Sequence, residues 1–337
     1  MHGWAAGILF ADHSRSIDKN GLEGIPAMSF FVQLPIDSYP DQLPAFDQGH
    51  EFSYPTAQAM MWLAQLTYEP DSKVVDVLKK WRLTLVAHLH SPTEGPLSDT
   101  ATQGFVCQRD GATIVAFAGT DPGMVKTLLT DVTTVPGPDG MHPGFGHALE
   151  AVWGQVLAVV PGLDPGSPFV TGHSLGAALA ALAAFRLHTE ANIGARAVYT
   201  FGMPRVGGQA FGDLYEPTLG DRTFRLVNGD DPVPSVPPPI VGFRHVGRRM
   251  SCPHDGAFAP KAKPATVRDN EPSFLEQEAN NASDTLVNLL KGILPVPAQP
   301  GPLGVFVEFL PGGIADHLQA RYLRALGTPV MNPTSQA

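Results

Sequence analysis

The residue whose setting is most suggestive of chemistry is Ser174, in the segment Gly172-His-Ser-Leu-Gly176. The pattern G-x-S-x-G is weak alone, but here it follows the apolar run Phe169-Val-Thr171 and opens an alanine-rich stretch. A strand, a sharp turn and a helix in this order present a serine hydroxyl above a sheet as a nucleophile. Glycines on either side let the strand and the helix approach without a Cβ clash. The alternative is an ordinary glycine-bracketed turn with a capping serine.

A nucleophilic serine needs a base and an acid later in the chain. A hydroxyl attacks poorly at neutral pH unless a neighbouring base removes its proton, and the chain order in such sites is serine, acid, histidine. The strand-like run Phe224 to Val227 leads into Asp230 and Asp231. Either could orient the base, and we favour Asp231 because the proline after it biases it to an extended conformation. The alternative for both aspartates is simple turn chemistry.

Three histidines follow these aspartates, and they differ in their surroundings. His245 lies in an alternating, strand-like segment and is expected to be structural, while His254 lies in a turn. His317 directly precedes the helical run Gln319 to Leu326, and loops that meet a helix hold catalytic groups well. We therefore predict that His317 is the base, with helix capping or an exposed role as its alternative.

The elements that must position these residues alternate between strand and helix patterns. Four helices are predicted: Thr56–Tyr68, a second helix that is capped by Ser72 and ends at Arg82, Ala148–Val160, and Ala177–Phe185. Strands are predicted at Phe169–Thr171, Ala197–Phe201 and Phe224–Val227. A hairpin within Gly104–Phe117 is predicted to turn at Asp110-Gly111. Alternating strands and helices imply right-handed crossovers and a largely parallel sheet with helices on both faces. The fold class is therefore α/β.

Domain organisation is expected to be simple. Residues 1–50 have weak periodicity and are predicted to form an irregular arm against the core, followed by one α/β domain over residues 51–337. From about 258 to 312 the pattern loosens around one apolar helix candidate, Thr285–Leu294, which indicates an insertion. This insertion could extend an acyl pocket, help dock at an interface, or be buried.

Composition narrows the range of partners. Hydrophobic residues make up 43% of the 337 residues and charged ones 16%, which predicts a soluble, globular protein. The net charge of −10 disfavours nucleic acid and anionic membranes as partners. No apolar run is long enough to span a bilayer, and the short apolar start lacks the basic flank of a signal peptide, so the compartment stays open. Cys107 and Cys252 could pair or remain free thiols.

Cofactor and metal motifs are missing from the sequence. It has no H-E-x-x-H helix and no glycine-rich phosphate loop, and its histidines do not cluster at metal-ligand spacing along the sequence. We therefore expect neither a cofactor nor a metal site.

Six ordered segments together resemble the class 3 lipases, the family of the filamentous-fungal triacylglycerol lipases. They are Phe117-Ala-Gly-Thr120, His142-Pro-Gly-Phe145, Gly172-His-Ser-Leu-Gly176, Tyr199-Thr-Phe-Gly-Met-Pro-Arg-Val206, Val227-Asn-Gly-Asp-Asp-Pro-Val-Pro234 and Asp316-His317. The resemblance runs from about Tyr54 to Leu326, except for the long stretch after His254. It implies the α/β-hydrolase fold, with a mostly parallel central sheet and a lid over the site.

The resemblance also implies further site residues. The backbone N–H groups of Thr120 and Leu175 would form an oxyanion hole, although Ala118 stands where the family usually has arginine. A lid is implied at about residues 121–135. Its apolar positions are Met124, Val125, Leu128 and Leu129. The alternative for this segment is a surface helix packed permanently on the core.

The leading functional hypothesis is a lipase or carboxylesterase that hydrolyses neutral acylglycerols at an oil–water interface, using Ser174, Asp231 and His317. A second hypothesis is a soluble esterase for short-chain or aromatic esters, because the fold fixes the chemistry while the pocket fixes the substrate. A third, of a different class, is a lipase-like binding module without turnover. The competent residues at every site position speak against the third hypothesis.

Overall fold

The computed structural model describes residues 33–47, 49–96, 100–109, 111–119, 134–163, 167–261, 315–328 and 330. Its helices are α1 (Tyr54–Leu66), α2 (Asp71–Lys80), α3 (Pro143–Val159), α4 (Leu175–Ala191), α5 (Gln209–Leu219) and α6 (Gln319–Ala325). Its strands are β1 (Thr84–His90), β2 (Gln103–Arg109), β3 (Ala112–Phe117), β4 (Phe169–His173), β5 (Ala197–Phe201), β6 (Gly207–Gly208), β7 (Thr223–Asn228), β8 (Phe243–Arg244) and β9 (Arg248–Cys252).

The main sheet has the strand order β1-β2-β3-β4-β5-β7-β9 in the described part of the chain. The strands β1, β2 and β3 pair antiparallel, and the pairs from β3 to β9 are parallel. The hairpin between β2 and β3 turns at Gly111, whose φ of +73° suits the tight connection. The α/β class and the mostly parallel sheet predicted from the sequence are confirmed.

Two hydrophobic layers cover the sheet because successive strand residues point to opposite faces. Ile114 and Ala116 of β3 face one core, which α1, α2 and α6 cover. Val115 and Phe117 face the other core, which is covered by α3, α4 and α5. Strands that are buried at every position therefore form the centre of the protein, and helices pack on both sides as expected.

The local signals at the helix ends explain where the helices begin. Ser53 accepts a hydrogen bond from the backbone of Thr56, and Pro55 occupies the first turn of α1, where its missing N–H costs nothing. The prediction that Ser72 caps α2 is wrong. The helix begins at Asp71, after Pro70, so Ser72 lies inside the first turn, where an acidic Asp71 complements the helix dipole.

A buried carboxylate ties the segment before α1 to the domain. Glu69 accepts hydrogen bonds from the backbone N–H of Leu34 (2.6 Å) and the hydroxyl of Tyr39 (2.8 Å). Lys73 donates both to Glu69 (2.7 Å) and to the carbonyl of Leu34 (2.9 Å). The Tyr39 ring also packs on Trp62 of α1. Residues 33–47 thus share the core of the α/β domain.

Several predicted features lie outside the described residues. These are Thr120, the lid residues Met124, Val125, Leu128 and Leu129, and the helix candidate Thr285–Leu294. Among the described helices, none combines the length and the apolarity needed to cross a membrane. Cys107 and Cys252 are both buried and both free.

Candidate active site

Ser174 occupies the sharp turn between β4 and α4. Its backbone has φ +60° and ψ −127°, a conformation that residues other than glycine rarely adopt. The N–H of Ser174 donates to the carbonyl of Phe201 on the next strand (2.9 Å). A Cβ on Gly172 would lie 2.2 Å from the carbonyl oxygen of Gly176, so the turn requires glycine at this close approach. The strain is therefore held in place by packing on both sides of the serine.

The structure brings the three residues predicted as nucleophile, base and acid into one hydrogen-bonded chain. His317 Nε2 lies 2.9 Å from Ser174 Oγ. On the other side of the ring, Nδ1 lies 2.9 Å from both carboxylate oxygens of Asp231. The three residues come from the β4–α4 turn, the loop before α6 and the loop after β7, and more than eighty residues separate Asp231 from His317 in the sequence.

Asp231 is buried and has two further donors. The backbone N–H of Val233 donates to Oδ1 (2.9 Å), and the hydroxyl of Tyr322 donates to Oδ2 (2.7 Å). Burial and the adjacent Asp231 charge raise the pKa of Tyr322 well above its usual value, so the phenol remains a donor. The Tyr322 oxygen in turn accepts the N–H of Asn228 (3.1 Å). These hydrogen bonds fix the orientation of the Asp231 carboxylate toward the His317 imidazole.

Gly202 lies directly beneath the acid and the base. Its φ is +60°, and a Cβ there would lie 2.7 Å from Asp231 Oδ2 and 3.0 Å from His317 Nδ1. A side chain at this position would push the carboxylate and the imidazole away from each other. In the sequence, Gly202 stands out only as part of the motif Tyr199–Val206, and its role beneath the acid and the base is visible only in the structure.

The backbone of His317 is held by a second histidine that the sequence analysis did not single out. His173 Nε2–H donates to the carbonyl of His317 (2.7 Å). Burial, followed by the proximity of His317, lowers the pKa of His173 well below its usual value. The neutral ring leaves Nδ1 as an acceptor, 3.2 Å from the Tyr68 hydroxyl, and that hydroxyl accepts the N–H of Gly119 (2.9 Å). One hydrogen-bond network thus connects three segments: the loop before α6 that carries His317 (the base loop), the turn Gly172–Gly176 that carries Ser174 (the elbow), and the segment before Thr120.

A third group of contacts anchors the base loop through Asp316. Its Oδ2 accepts the backbone N–H of Asp230 (2.9 Å) and lies 2.6 Å from His254 Nδ1. The side chain of Asn228 donates to the carbonyl of Asp316 (2.9 Å). The structure therefore places Asp230 and His254 beside the loop that carries His317, and places neither of them against Ser174.

His245 is buried and bonds through Nε2 to the carbonyl of Pro234 (2.8 Å). Its predicted structural role fits this contact, although β8 ends at Arg244, one residue before it. Burial lowers the pKa of His245 well below its usual value, aided by nearby arginines.

Of the two residues predicted to form the oxyanion hole, Leu175 lies within the described part of the chain. Leu175 is the first residue of α4, where a backbone N–H has no partner within the helix and the helix dipole favours negative charge. Thr120 lies outside the described residues. Gly119, just before it, approaches the nucleophile closely, because a Cβ at Gly119 would lie 3.3 Å from the Cβ of Ser174.

This arrangement can activate a hydroxyl for attack on an acyl carbon. The imidazole is placed to take the serine proton, and the carboxylate selects the tautomer that leaves Nε2 free to do so. A strained serine after a parallel strand, with the acid and histidine on later loops, defines the α/β-hydrolase class of fold.

The family model for lipase (class 3) matches residues 114–241. Among curated relatives, a secreted mono- and diacylglycerol lipase of Fusarium solani is 39% identical over 110 residues, which cover 32% of each chain. Another such lipase, from Malassezia restricta, is 34% identical over 147 residues, covering 39% of this chain and 49% of the relative. The crystal structure of the mono- and diacylglycerol lipase of Aspergillus oryzae has a TM-score of 0.55 at 24% identity, covering 65% of this chain and 88% of that chain.

The resemblance to the class 3 lipases seen in the motifs is therefore confirmed over the central segment that the family model matches, residues 114–241. The likeness to the Aspergillus oryzae structure confirms the α/β-hydrolase fold. The chain matches between about a third and a half of the length of these curated relatives.

Proposed function

We propose that this protein is a serine ester hydrolase that cleaves neutral acylglycerols. The observation that carries the proposal is the hydrogen-bonded chain from Ser174 Oγ through the His317 ring to Asp231, with 2.9 Å at each step. The relatives named mono- and diacylglycerol lipases support acylglycerols as the substrate class.

The reaction proceeds in two halves. Ser174 Oγ attacks the ester carbonyl carbon while His317 Nε2 takes the hydroxyl proton, and Asp231 stabilises the imidazolium that forms. The proton then passes to the departing glycerol oxygen, and an acyl-enzyme remains. Water repeats the sequence: His317 removes its proton, the acyl–serine bond breaks, and Ser174 regains a proton as the fatty acid leaves.

The negative oxygen of each tetrahedral intermediate needs donors that are in place before the reaction. We assign this role to the N–H groups of Leu175 and Thr120, each typically worth about 3 kcal/mol of barrier. The position of Leu175 at the start of α4 supports its part. The approach of Gly119 to Ser174 supports the part of Thr120.

The proposal extends to a lid over residues 121–135 and to the oil–water interface as the place of action. Met124, Val125, Leu128 and Leu129 would cover the site in water and contact lipid at an interface. The net charge of −10 favours neutral over anionic lipid surfaces. The relatives are named secreted, and we include secretion in the proposal; recovery of the native protein from culture medium tests it.

The experiment measures hydrolysis of mono-, di- and triacylglycerols and of nitrophenyl esters of rising chain length, below and above micelle formation. Replacing Ser174 with Ala should reduce kcat by about 10⁴-fold or more. A serine-reactive phosphonate should label the peptide containing Ser174 in the native protein only. The matched control is Ser251→Ala, because Ser251 is exposed on β9 and should leave activity unchanged.

Three results would contradict the proposal in different ways. Ester hydrolysis that survives Ser174→Ala would place the nucleophile elsewhere. Preference for short monomeric esters, without a gain above micelle formation, would favour a soluble esterase. Neither turnover nor labelling in the native protein would favour a non-catalytic binding module.

A further inference from the structure

Two histidines and an aspartate converge on the surface at the edge of the sheet, away from Ser174. His88 and His90 alternate along the edge strand β1, so both rings project from the same side, with centroids 5.8 Å apart. Asp71, the first residue of α2, faces both rings. His88 Nδ1 lies 3.3 Å from Asp71 Oδ1, and His90 Nε2 lies 3.0 Å from Asp71 Oδ2.

The backbone that carries these rings is well supported. Leu89, between the two histidines, is fully buried, which fixes the direction in which its neighbours point. His90 is clamped by Gln155 of α3, whose Oε1 accepts the His90 N–H (3.1 Å) and whose Nε2 donates to the His90 carbonyl (2.6 Å). The strand also pairs with β2 through both histidines. The backbone of β1 that carries the two histidines is therefore held firmly, and the aspartate stands at the first residue of α2.

We propose that Asp71, His88 and His90 form a binding site for a divalent transition-metal ion of the zinc type. Imidazole nitrogens and a carboxylate oxygen are suitable zinc ligands, and a tetrahedral ion with bonds of about 2.0–2.1 Å separates its ligands by about 3.3 Å. Each ring lies at about that spacing from one oxygen of the carboxylate, 3.3 Å from Oδ1 and 3.0 Å from Oδ2, and one ligand atom from each of the three residues lies within 4.8 Å of the others. The mixed donor set favours zinc over magnesium or calcium, which take oxygen ligands.

The fourth position of such a site would open to solvent. His90 and Asp71 side chains are about half exposed, at 48% and 53%, so an ion has a direct route in and a water molecule can complete the tetrahedron. The sequence His88-Leu89-His90 did not suggest this site, because a single spacing of two residues is uninformative until the segment is known to be a strand facing Asp71.

A second group, Asp230, His254 and Asp316, also converges within ligand range. It differs because Asp316 Oδ2 already accepts the backbone N–H of Asp230 (2.9 Å). We therefore do not expect this second group to bind the ion, and the His254→Ala variant tests that expectation.

The experiment titrates the metal-free, full-length protein with zinc chloride by calorimetry and follows the melting temperature. We expect one bound ion per chain and a rise in Tm with zinc, since a ligand that binds only the folded state stabilises it. Magnesium chloride should produce neither effect. His88→Ala and His90→Ala should each weaken zinc binding by at least tenfold and abolish the rise in Tm, while hydrolytic activity stays unchanged. His50→Ala is the matched control, because His50 is also an exposed histidine beside a carboxylate.

A second variant, His88→Gln, examined by circular dichroism, distinguishes loss of the zinc ligand from loss of the fold. It should retain the native spectrum and Tm of the metal-free protein while losing zinc binding. The proposal is overturned if the native protein binds no zinc, if the His88 and His90 variants bind it as well as the native protein does, or if His254→Ala or His317→Ala removes the binding instead.

Discussion

The nucleophile and the base are held in position by two different means. Ser174 is fixed by backbone: a parallel strand, a buried helix and glycines at close approach determine its conformation. His317 is fixed by His173 of β4 and by Asp231 of the loop after β7, and Tyr322 of α6 supports it indirectly by donating to Asp231. One half of the site is therefore encoded in the five consecutive residues Gly172 to Gly176, while the other half is assembled from residues far apart in the chain.

This difference predicts that a change at the elbow damages folding, whereas a change at the base loop damages geometry. The largest effect is expected for Gly172→Ala, because its Cβ would overlap the carbonyl of Gly176. We expect the free energy of unfolding to fall by more than about 4 kcal/mol, measured by urea denaturation with tryptophan fluorescence. The control is Gly154→Ala, at an exposed position of α3 with open space around it, which should stabilise the protein by about 0.8 kcal/mol. Native-like stability of Gly172→Ala would show that the elbow does not require glycine at this close approach.

Gly202→Ala should reduce activity more than stability. The added Cβ would separate Asp231 from His317, and displacement of catalytic groups by about 1 Å can cost about 10²-fold in rate. We expect kcat to fall by about that factor while KM changes little. Steady-state kinetics on a soluble nitrophenyl ester give both values, with Gly154→Ala again as control. If kcat equals that of the native protein, the glycine is not required beneath the pair.

Tyr322→Phe tests one side-chain support of the acid. The change removes the donor to Asp231 and leaves the N–H of Asn228 without its acceptor, at a cost of about 1–3 kcal/mol in stability. We also expect kcat to fall by roughly tenfold as the carboxylate loses its fixed orientation. The matched control is Tyr215→Phe, whose hydroxyl is equally buried but bonds Thr223 outside the site. Equal kcat values for the two variants would show that Tyr322 acts on stability alone.

The smallest effect concerns pH, and it separates two histidines near the base loop. His173 has a lowered pKa, so its contribution to stability is present above about pH 6.5 and is lost as the pH falls. His254 has a pKa raised by Asp316, so its contribution is present at low pH and is lost as the pH rises through its folded pKa.

The His254 side chain is 43% exposed, so solvent screening keeps this alkaline loss below about 1 kcal/mol. His254→Gln should remove the alkaline loss and leave the acid loss intact, as measured by urea denaturation from pH 5 to 9. If His254→Gln changed only the loss of stability at acid pH, the assignment of the alkaline loss to His254 would be contradicted.

The sequence allowed the local half of the site to be predicted and left the distant half partly open. The elbow, the β2–β3 hairpin and the buried helix α4 follow from turn residues and hydrophobic patterns that act over a few positions. The preference for Asp231 over Asp230 rested on one proline. In contrast, the contacts of Tyr322, His173 and Gly202 link elements far apart in the chain, and a single sequence carries no signal for such pairs. The error at Ser72 has a local cause, because Pro70 ends the preceding turn one residue earlier than the serine suggested.

The carboxylate of Glu69 has a practical consequence for protein production. A shortened version that starts near residue 50 would remove Leu34 and Tyr39 and leave Glu69 enclosed with fewer partners. Removing one partner of a buried charge strongly lowers the free energy of unfolding, whereas replacing the whole buried pair by apolar residues is often neutral. Trimmed versions intended for crystallisation should therefore keep the chain from residue 33 onward, or replace Glu69 at the same time.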